Sequence, residues 1–149
     1  MSHKGNNGTF HANCVVVGDI GILIRGKSGS GKSTLSRRLI DLARQRGHFS
    51  RLVGDDRIAV HAVGHQLIAE GHPVIAGQME LRGIGVVETR FEPRVVIRLL
   101  VDCVPMLDQR IPEASSLPIE LLGVACNHIF MTLDGADIIL GLLGLDTVF

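Results

Sequence analysis

The chain has 149 residues, enough for one domain with a buried core, and 15 basic residues balance 15 acidic ones. A neutral chain with five Phe and no Trp or Tyr lacks the basic surface and stacking rings of nucleic-acid binders. Cys14, Cys103 and Cys126 are odd in number and widely spaced, which favours buried, reduced thiols over disulfides or a zinc site. We therefore expect one soluble, cytoplasmic domain over residues 1–149, with no nucleic-acid partner.

No stretch of the sequence predicts a membrane anchor. Residues 1–8 are polar and lack the apolar core of a signal peptide, and residues 1–9 are expected to be flexible. The most apolar segment near the end, residues 138–145, is far shorter than the roughly 20 residues that a membrane-spanning helix needs. No membrane partner is expected.

The first predicted elements are two apolar runs separated by Gly18-Asp19. Residues 12–17 and 20–25 are rich in β-branched side chains, as strands are. A Gly-Asp pair between two such runs is typical of a hairpin turn. The second strand therefore has an antiparallel neighbour, and a mixed sheet is expected instead of an all-parallel one.

A glycine-rich loop follows the second strand and matches the pattern G-x-x-x-x-G-K-[ST] at residues 26–33. The helix predicted over residues 34–46 follows directly, so the motif lies between a strand and a helix, as phosphate-binding loops do. Lys32 would then contact the outer phosphates of a nucleotide, and the Ser33 hydroxyl would bind Mg²⁺. The predicted nucleotide contacts are Gly26, Lys27, Ser28, Gly29, Ser30, Gly31, Lys32, Ser33 and Thr34.

The predicted helix presents three leucines to the core. Leu35, Leu39 and Leu42 are spaced i, i+4 and i+7, and Gly47 is a plausible left-handed stop. After it, an acidic pair, Asp55-Asp56, ends a short apolar run. Phosphoryl-transfer folds keep a metal ligand or a base in such a position, although Gly-Asp is also common in polar turns.

The second half of the chain gives weaker signals. Residues 61–78 are expected to be irregular, with surface histidines instead of a metal site, because glycines interrupt any helix there. In residues 79–88, Glu80 and Arg82 adjoin two glycines, which suits close approach to a ligand or a bulged strand. Residues 95–101 predict a buried strand and residues 108–116 a loop. Residues 117–134 are compatible with one or two further strands and residues 135–145 with a helix or a strand, and their poor alternation does not decide between these.

In these motifs the chain resembles the catalytic domain of the HPr kinase/phosphorylases. His11 opens the hairpin, the loop with Lys32 and the Asp55-Asp56 pair follow, and residues 79–88 are similar to the family's Glu-Ile-Arg-Gly-Leu-Gly signature. The resemblance covers residues 11–88. It implies a small α/β P-loop domain with a mixed sheet, assembled as a hexamer, in a short member of the family without the N-terminal domain.

The resemblance also implies a reaction, which is phosphorylation of a serine on a small HPr-like phosphocarrier protein of a phosphotransferase system. ATP and Mg²⁺ would be the cofactors, and the reverse phosphorolysis would yield pyrophosphate. The kinase direction is favoured, because the family's late Pro-x-x-x-Gly-Arg loop is not recognisable around residues 117–126. In addition, Ala12 replaces the family's glycine after His11.

Residue roles carried over from the family complete this expectation. Lys32 and the loop hold the ATP phosphates, Ser33 and Glu80 hold Mg²⁺, and Asp56 is the general base. His11 would lie near Asp56 and affect its protonation, and Arg110 corresponds to a later catalytic arginine. Two alternatives remain open, a small-molecule kinase of the shikimate or nucleoside type and a non-enzymatic ATP-sensing module.

Overall fold

The computed structural model describes residues 7–81, 83–107 and 118–147. The strands in chain order are β1 (Asn7–Phe10), β2 (Ala12–Val17), β3 (Ile20–Arg25), β4 (Ser50–Gly54), β5 (Ile58–Val63), β6 (Gln66–Gly71), β7 (Gln78–Leu81), β8 (Gly85–Glu88), β9 (Arg94–Cys103), β10 (Ile119–Leu121), β11 (Val124–Cys126) and β12 (His128–Met131). The helices are α1 (Lys32–Gln45), α2 (Ala136–Leu142) and a 3-10 turn (Pro73–Ile75).

The main sheet is mixed, as the sequence predicted. Its strands run in the order β1-β5-β6-β9-β3-β2-β4, and β12 adds to β9. β3 pairs with β9 in parallel and with β2 in antiparallel register, so the strand that enters the glycine-rich loop has one neighbour of each kind. The predicted hairpin turn is present, with Gly18 at φ +62°. The fold class is therefore mixed α/β with few helices.

Two apolar clusters cover the two faces of the sheet. On one face α1 and α2 pack against alternate residues of β2, β3 and β9. Leu35 and Leu39 are fully buried there, and Leu42 packs partly against the same cluster. The other face is closed by β5, β6 and the short β10–β11 hairpin. Because β3 is buried on both faces, the loop and helix that follow it start from a rigid base.

The prediction that residues 61–78 are irregular is wrong. β5 and β6 form a regular antiparallel hairpin in which Val63 pairs with Gln66, so the turn consists of Gly64 and His65 alone. Gly64 has φ +62°, a conformation that glycine supplies in two-residue hairpin turns. The glycine that excludes a helix here is thus a turn residue between strands. The histidines of this region were expected at the surface, and His65 is indeed exposed.

Other expectations have mixed outcomes. Residues 7–9, part of the segment 1–9 expected to be flexible, lie in β1, which pairs with β5. Residues 95–101 lie inside β9, and all three cysteines are buried and free. The unassigned region 118–147 contributes β10 to β12 and α2. Arg82, Arg110 and the loop expected at 108–116 lie outside the described residues. Neither helix of the described ranges has the length and apolarity needed to cross a bilayer.

Candidate active site

A cleft of about 330 Å³ opens at the end of the sheet where β3 passes into α1. Its lining residues come from β2, the glycine-rich loop, the start of α1, the segment after β4, β7 and the turn before α2. They are Asn13, Ser28, Gly29, Gly31, Lys32, Ser33, Thr34, Asp55, Asp56, Glu80 and Leu133. Charged and hydroxyl side chains predominate, so the cleft suits a polar, charged ligand.

The glycine-rich loop curls tightly over this cleft. Gly31 has φ +101°, and a Cβ placed there would lie 2.7 Å from the Cβ of Leu133. A Cβ on Gly26 would lie 2.7 Å from the Cys103 carbonyl oxygen at the end of β9. Both positions therefore require glycine: Gly31 because of its backbone conformation and the nearby Leu133, and Gly26 because of the nearby Cys103 carbonyl.

The side chains of Cys103 and Lys32 each hold a backbone carbonyl of the loop. Burial raises the pKa of the Cys103 thiol, which therefore stays protonated and donates to the carbonyl of Ser30 over 3.3 Å. The Lys32 ammonium donates to the Gly26 carbonyl at 2.9 Å, and only 10% of its side chain is exposed. The loop is thus closed on itself, with a partly desolvated cation at its centre.

The two adjacent carboxylates have different surroundings. Asp55 is 7% exposed and uses both oxygens, accepting from the Ser33 hydroxyl at 2.8 Å and from the Glu80 backbone N–H at 2.8 Å. Asp56 has φ +62°, and 72% of its side chain is exposed. Its Oδ1 lies 3.8 Å from the Lys32 ammonium. One carboxylate therefore ties β7 to the loop, and the other is free to meet a ligand in the cleft.

Glu80 is the third carboxylate of the cleft. Asp55 holds its backbone, and its own side chain is exposed at the rim. In the described ranges, no three His, Cys, Asp or Glu residues come together as a metal cluster. The oxygen donors in the cleft that suit a hard cation include the Ser33 hydroxyl and the Glu80 carboxylate.

Sequence reasoning missed Asn13, which lies at the centre of the site. It is fully buried in β2, its amide Nδ2 donates to the hydroxyls of Ser33 (3.2 Å) and Ser36 (3.1 Å), and its Oδ1 accepts from the backbone N–H of Asp56 at 2.8 Å. The one available signal was an amide within an otherwise apolar strand, since a buried polar side chain needs a partner.

A second polar cluster, also missed, lies at the base of the loop. Arg25 donates to both oxygens of Asp102 at 3.0 and 2.9 Å, and the buried His128 bonds the same carboxylate at 2.7 Å. Burial alone would raise the pKa of Asp102, but the hydrogen bonds and charges of Arg25 and His128 hold it below its ordinary value. Arg25 is the last residue of β3, so this cluster fixes β3 to β9 directly before the loop.

The predicted site residues are distributed as follows. The structure brings Lys32, Ser33, Asp56 and Glu80 into one cleft with Ser28, Gly29, Gly31 and Thr34 of the predicted nucleotide contacts. The other predicted contacts, Gly26, Lys27 and Ser30, are not among the described residues that line it. His11 is exposed at the bend between β1 and β2 and is not among the described residues that line the cleft. Arg110 lies outside the described residues.

Comparison with known proteins finds matches to one family, by sequence and by structure. Residues 4–92 match the family model of the HPr serine kinase C-terminal domain. The chain is 42% identical over 82 residues to an HPr kinase/phosphorylase of Chlorobium phaeobacteroides, an alignment that covers 54% of this chain and 22% of that protein. It is 31% identical over 131 residues to one of Mycoplasma mycoides, covering 80% of this chain and 40% of that protein.

Similarity in structure extends further along the chain. The Hpr(Ser) kinase/phosphatase of Coxiella burnetii superposes with a TM-score of 0.71 at 26% identity, covering 92% of this chain and 93% of that one. The curated relatives are longer, since the chain spans less than half of their length.

Proposed function

This chain belongs to the family of the HPr serine kinase C-terminal domain, and from that membership we infer that it is an ATP-dependent protein-serine kinase. Its proposed substrate is a serine on a small HPr-like phosphocarrier protein of a phosphotransferase system. The observation that carries the proposal is the position of Asp56. Its exposed carboxylate lies 3.8 Å from the Lys32 ammonium, at the cleft that contains the glycine-rich loop.

The glycine-rich loop, residues 26–34, is proposed to be a P-loop that holds the phosphates of ATP. Its curled backbone, the N-terminus of α1 and the Lys32 ammonium together form a site for anionic oxygens. Lys32 now donates to the Gly26 carbonyl, and a phosphate oxygen would replace that acceptor. ATP bound here supplies the phosphoryl group that is transferred.

The residues of the cleft also fit a magnesium ion. Mg²⁺ is commonly held by one or two protein oxygens together with phosphates and waters. Ser33 and Glu80 provide such oxygens, and the hydrogen bonds that Asp55 accepts fix the Ser33 hydroxyl and the backbone of Glu80. In phosphoryl transfer the ion neutralises charge on the phosphates.

Asp56 is proposed to accept the proton of the substrate serine. A hydroxyl is a weak nucleophile until a base takes its proton, and a positioned carboxylate gains about 10²–10⁴-fold in rate. Asp56 is open enough for a serine on another protein to reach it, and its Oδ1 lies 3.8 Å from the Lys32 ammonium that is proposed to contact the phosphates. By resemblance, His11 would influence the protonation of Asp56, and Arg110 would be a further catalytic residue.

Three other parts of the proposal rest on family membership. The protein would act in the cytoplasm, assemble as a hexamer and catalyse a reverse phosphorolysis that releases pyrophosphate. Residues 1–149 would form a single P-loop kinase domain.

The test is incubation with ATP, Mg²⁺ and purified HPr-type carriers, followed by mass spectrometry of the carrier. A phosphoserine on a carrier is expected, and addition of phosphate afterwards tests for pyrophosphate. A parallel panel of small alcohols separates protein kinase from small-molecule kinase activity. If ATP binds but no phosphate reaches any carrier, the protein-kinase proposal is wrong; phosphate on a small alcohol would then indicate a small-molecule kinase, and transfer to neither would favour ATP sensing.

A further inference from the structure

Every hydrogen bond of the Asn13 amide has a fixed direction. A backbone N–H can only donate, so the Asn13 atom 2.8 Å from the Asp56 nitrogen is the carbonyl oxygen. The amide nitrogen then faces the hydroxyls of Ser33 and Ser36. Those hydroxyls donate their own protons elsewhere, Ser33 to Asp55 at 2.8 Å and Ser36 to the Lys32 carbonyl at 2.7 Å. Both therefore accept from Asn13.

This pattern fixes the orientation of the Ser33 hydroxyl. A hydroxyl has one proton and two lone pairs. Asp55 takes the proton and Asn13 occupies one lone pair, so a single lone pair remains. Ser33 lines the cleft, and this remaining lone pair is the one available to a ligand there.

The same amide also holds the backbone of Asp56. A φ of +62° is unfavourable for a residue with a Cβ and persists where surrounding contacts impose it. The bond from the Asp56 N–H to the buried Asn13 is such a contact. The pairing of β2 with β4 shifts between Cys14 and Val15, directly beside Asn13. Irregular pairing of this kind often redirects residues next to active sites.

We propose that Asn13 is a positioning residue for phosphoryl transfer. One buried amide sets both the backbone conformation that presents the carboxylate of Asp56 and the lone pair that Ser33 offers to the cleft. This inference rests on the proposed function, since it assigns Asn13 to the reaction proposed for Asp56 and Ser33. Asn13 is a positioning residue because it acts through these two residues.

The test compares two variants. Asn13→Leu keeps the approximate size of the side chain but removes its hydrogen bonds. Ser36→Ala removes one partner of the Asn13 amide and leaves its hydrogen bonds with Asp56 and Ser33 in place. For Asn13→Leu we expect kcat for carrier phosphorylation to fall about 10–100-fold, as when the partners of active-site ligands are removed. The dissociation constant for ATP without Mg²⁺ should stay within about twofold, because the loop and Lys32 are unchanged.

Hydrogen exchange measured by NMR provides a second readout that does not need catalysis. The Asp56 amide proton should exchange at least about tenfold faster in Asn13→Leu, since its acceptor is lost, and at the native rate in Ser36→Ala. We also expect Ser36→Ala to keep kcat within about twofold of the wild type. If Asn13→Leu does not fold, the smaller Asn13→Ala, which also lacks an acceptor, replaces it with the same expectations.

Three results would overturn the inference. They are a native kcat in the Asn13 variant, unchanged exchange at Asp56, and an equal loss of kcat in Ser36→Ala, which would indicate a merely structural role. An inactive wild-type protein would contradict the proposed function alone, because exchange at Asp56 still tests whether Asn13 holds that backbone.

Discussion

Replacing Gly31 by alanine should strongly destabilise the protein, because two costs combine at this position. A residue with a Cβ at φ +101° is strained by about 1–3 kcal/mol. The new methyl group would also lie 2.7 Å from Cβ and 2.8 Å from Cδ2 of Leu133, and such overpacking costs about 1–3 kcal/mol. The free energy of unfolding should therefore fall by about 2–6 kcal/mol.

Gly64→Ala is the matched control for this substitution. Gly64 also has a positive φ, +62°, but no atom of the residues that the structure describes lies within 4 Å of the position of its Cβ. It should lose only the conformational part, about 1–2 kcal/mol. Urea unfolding of both variants measures the difference, and ATP titration should show weaker binding for Gly31→Ala alone. Equal losses of stability in the two variants would refute the proposed contact between the loop and Leu133.

Three further substitutions test other parts of the site. Lys32→Ala should weaken ATP binding and turnover together, because it removes the cation at the centre of the loop, and native values of both would contradict the phosphate-site assignment. Glu80→Gln should raise the Mg²⁺ concentration needed for half-maximal activity, since a carboxylate becomes a neutral amide; an unchanged requirement in a Mg²⁺ titration would exclude Glu80 as a ligand. Folding lowers the pKa of Asp102, so its ionised carboxylate stabilises the folded protein. This stabilisation is complete when the pH is above the pKa of Asp102 in the unfolded state, and it is lost as the pH falls through the pKa in the folded state. Urea unfolding should therefore give the wild type a larger free energy of unfolding than Asp102→Asn at pH 7, and this difference should shrink below about pH 4. A difference that does not change with pH would contradict the ion pairing of Asp102.

Local patterns predicted much of the fold. β2, β3 and β9 are largely apolar strands of six or more residues, and α1 has leucines at helical spacing, so each could be predicted from its own sequence. The β5–β6 hairpin was not predicted, because a glycine that interrupts a helix is equally suited to a turn between strands, and Gly64 is such a turn residue here. The short strands after residue 117 were not assigned either, because three-residue and four-residue strands depend on their pairing partners more than on their own sequence.

The site was predictable only where a motif spans contiguous residues. The loop and the acidic pair could be read directly from the sequence. The different roles of Asp55 and Asp56 depend on their surroundings, because only Asp55 is buried and accepts hydrogen bonds from Ser33 and Glu80. The Asn13 amide acts on a residue 43 positions away, and Arg25 pairs with a residue 77 positions away. Such contacts appear only once the sheet has formed.

The role of Asp56 is best decided by transfer of labelled phosphate from ATP to a carrier serine in a single turnover. Asp56→Asn keeps the size of the side chain but cannot accept the proton, so we expect ATP binding to be retained and transfer to slow by about 10²-fold or more. Ser36→Ala, beside the same network, serves as the control and should transfer at the native rate. Transfer by Asp56→Asn at the native rate would contradict the assignment of Asp56 as the base.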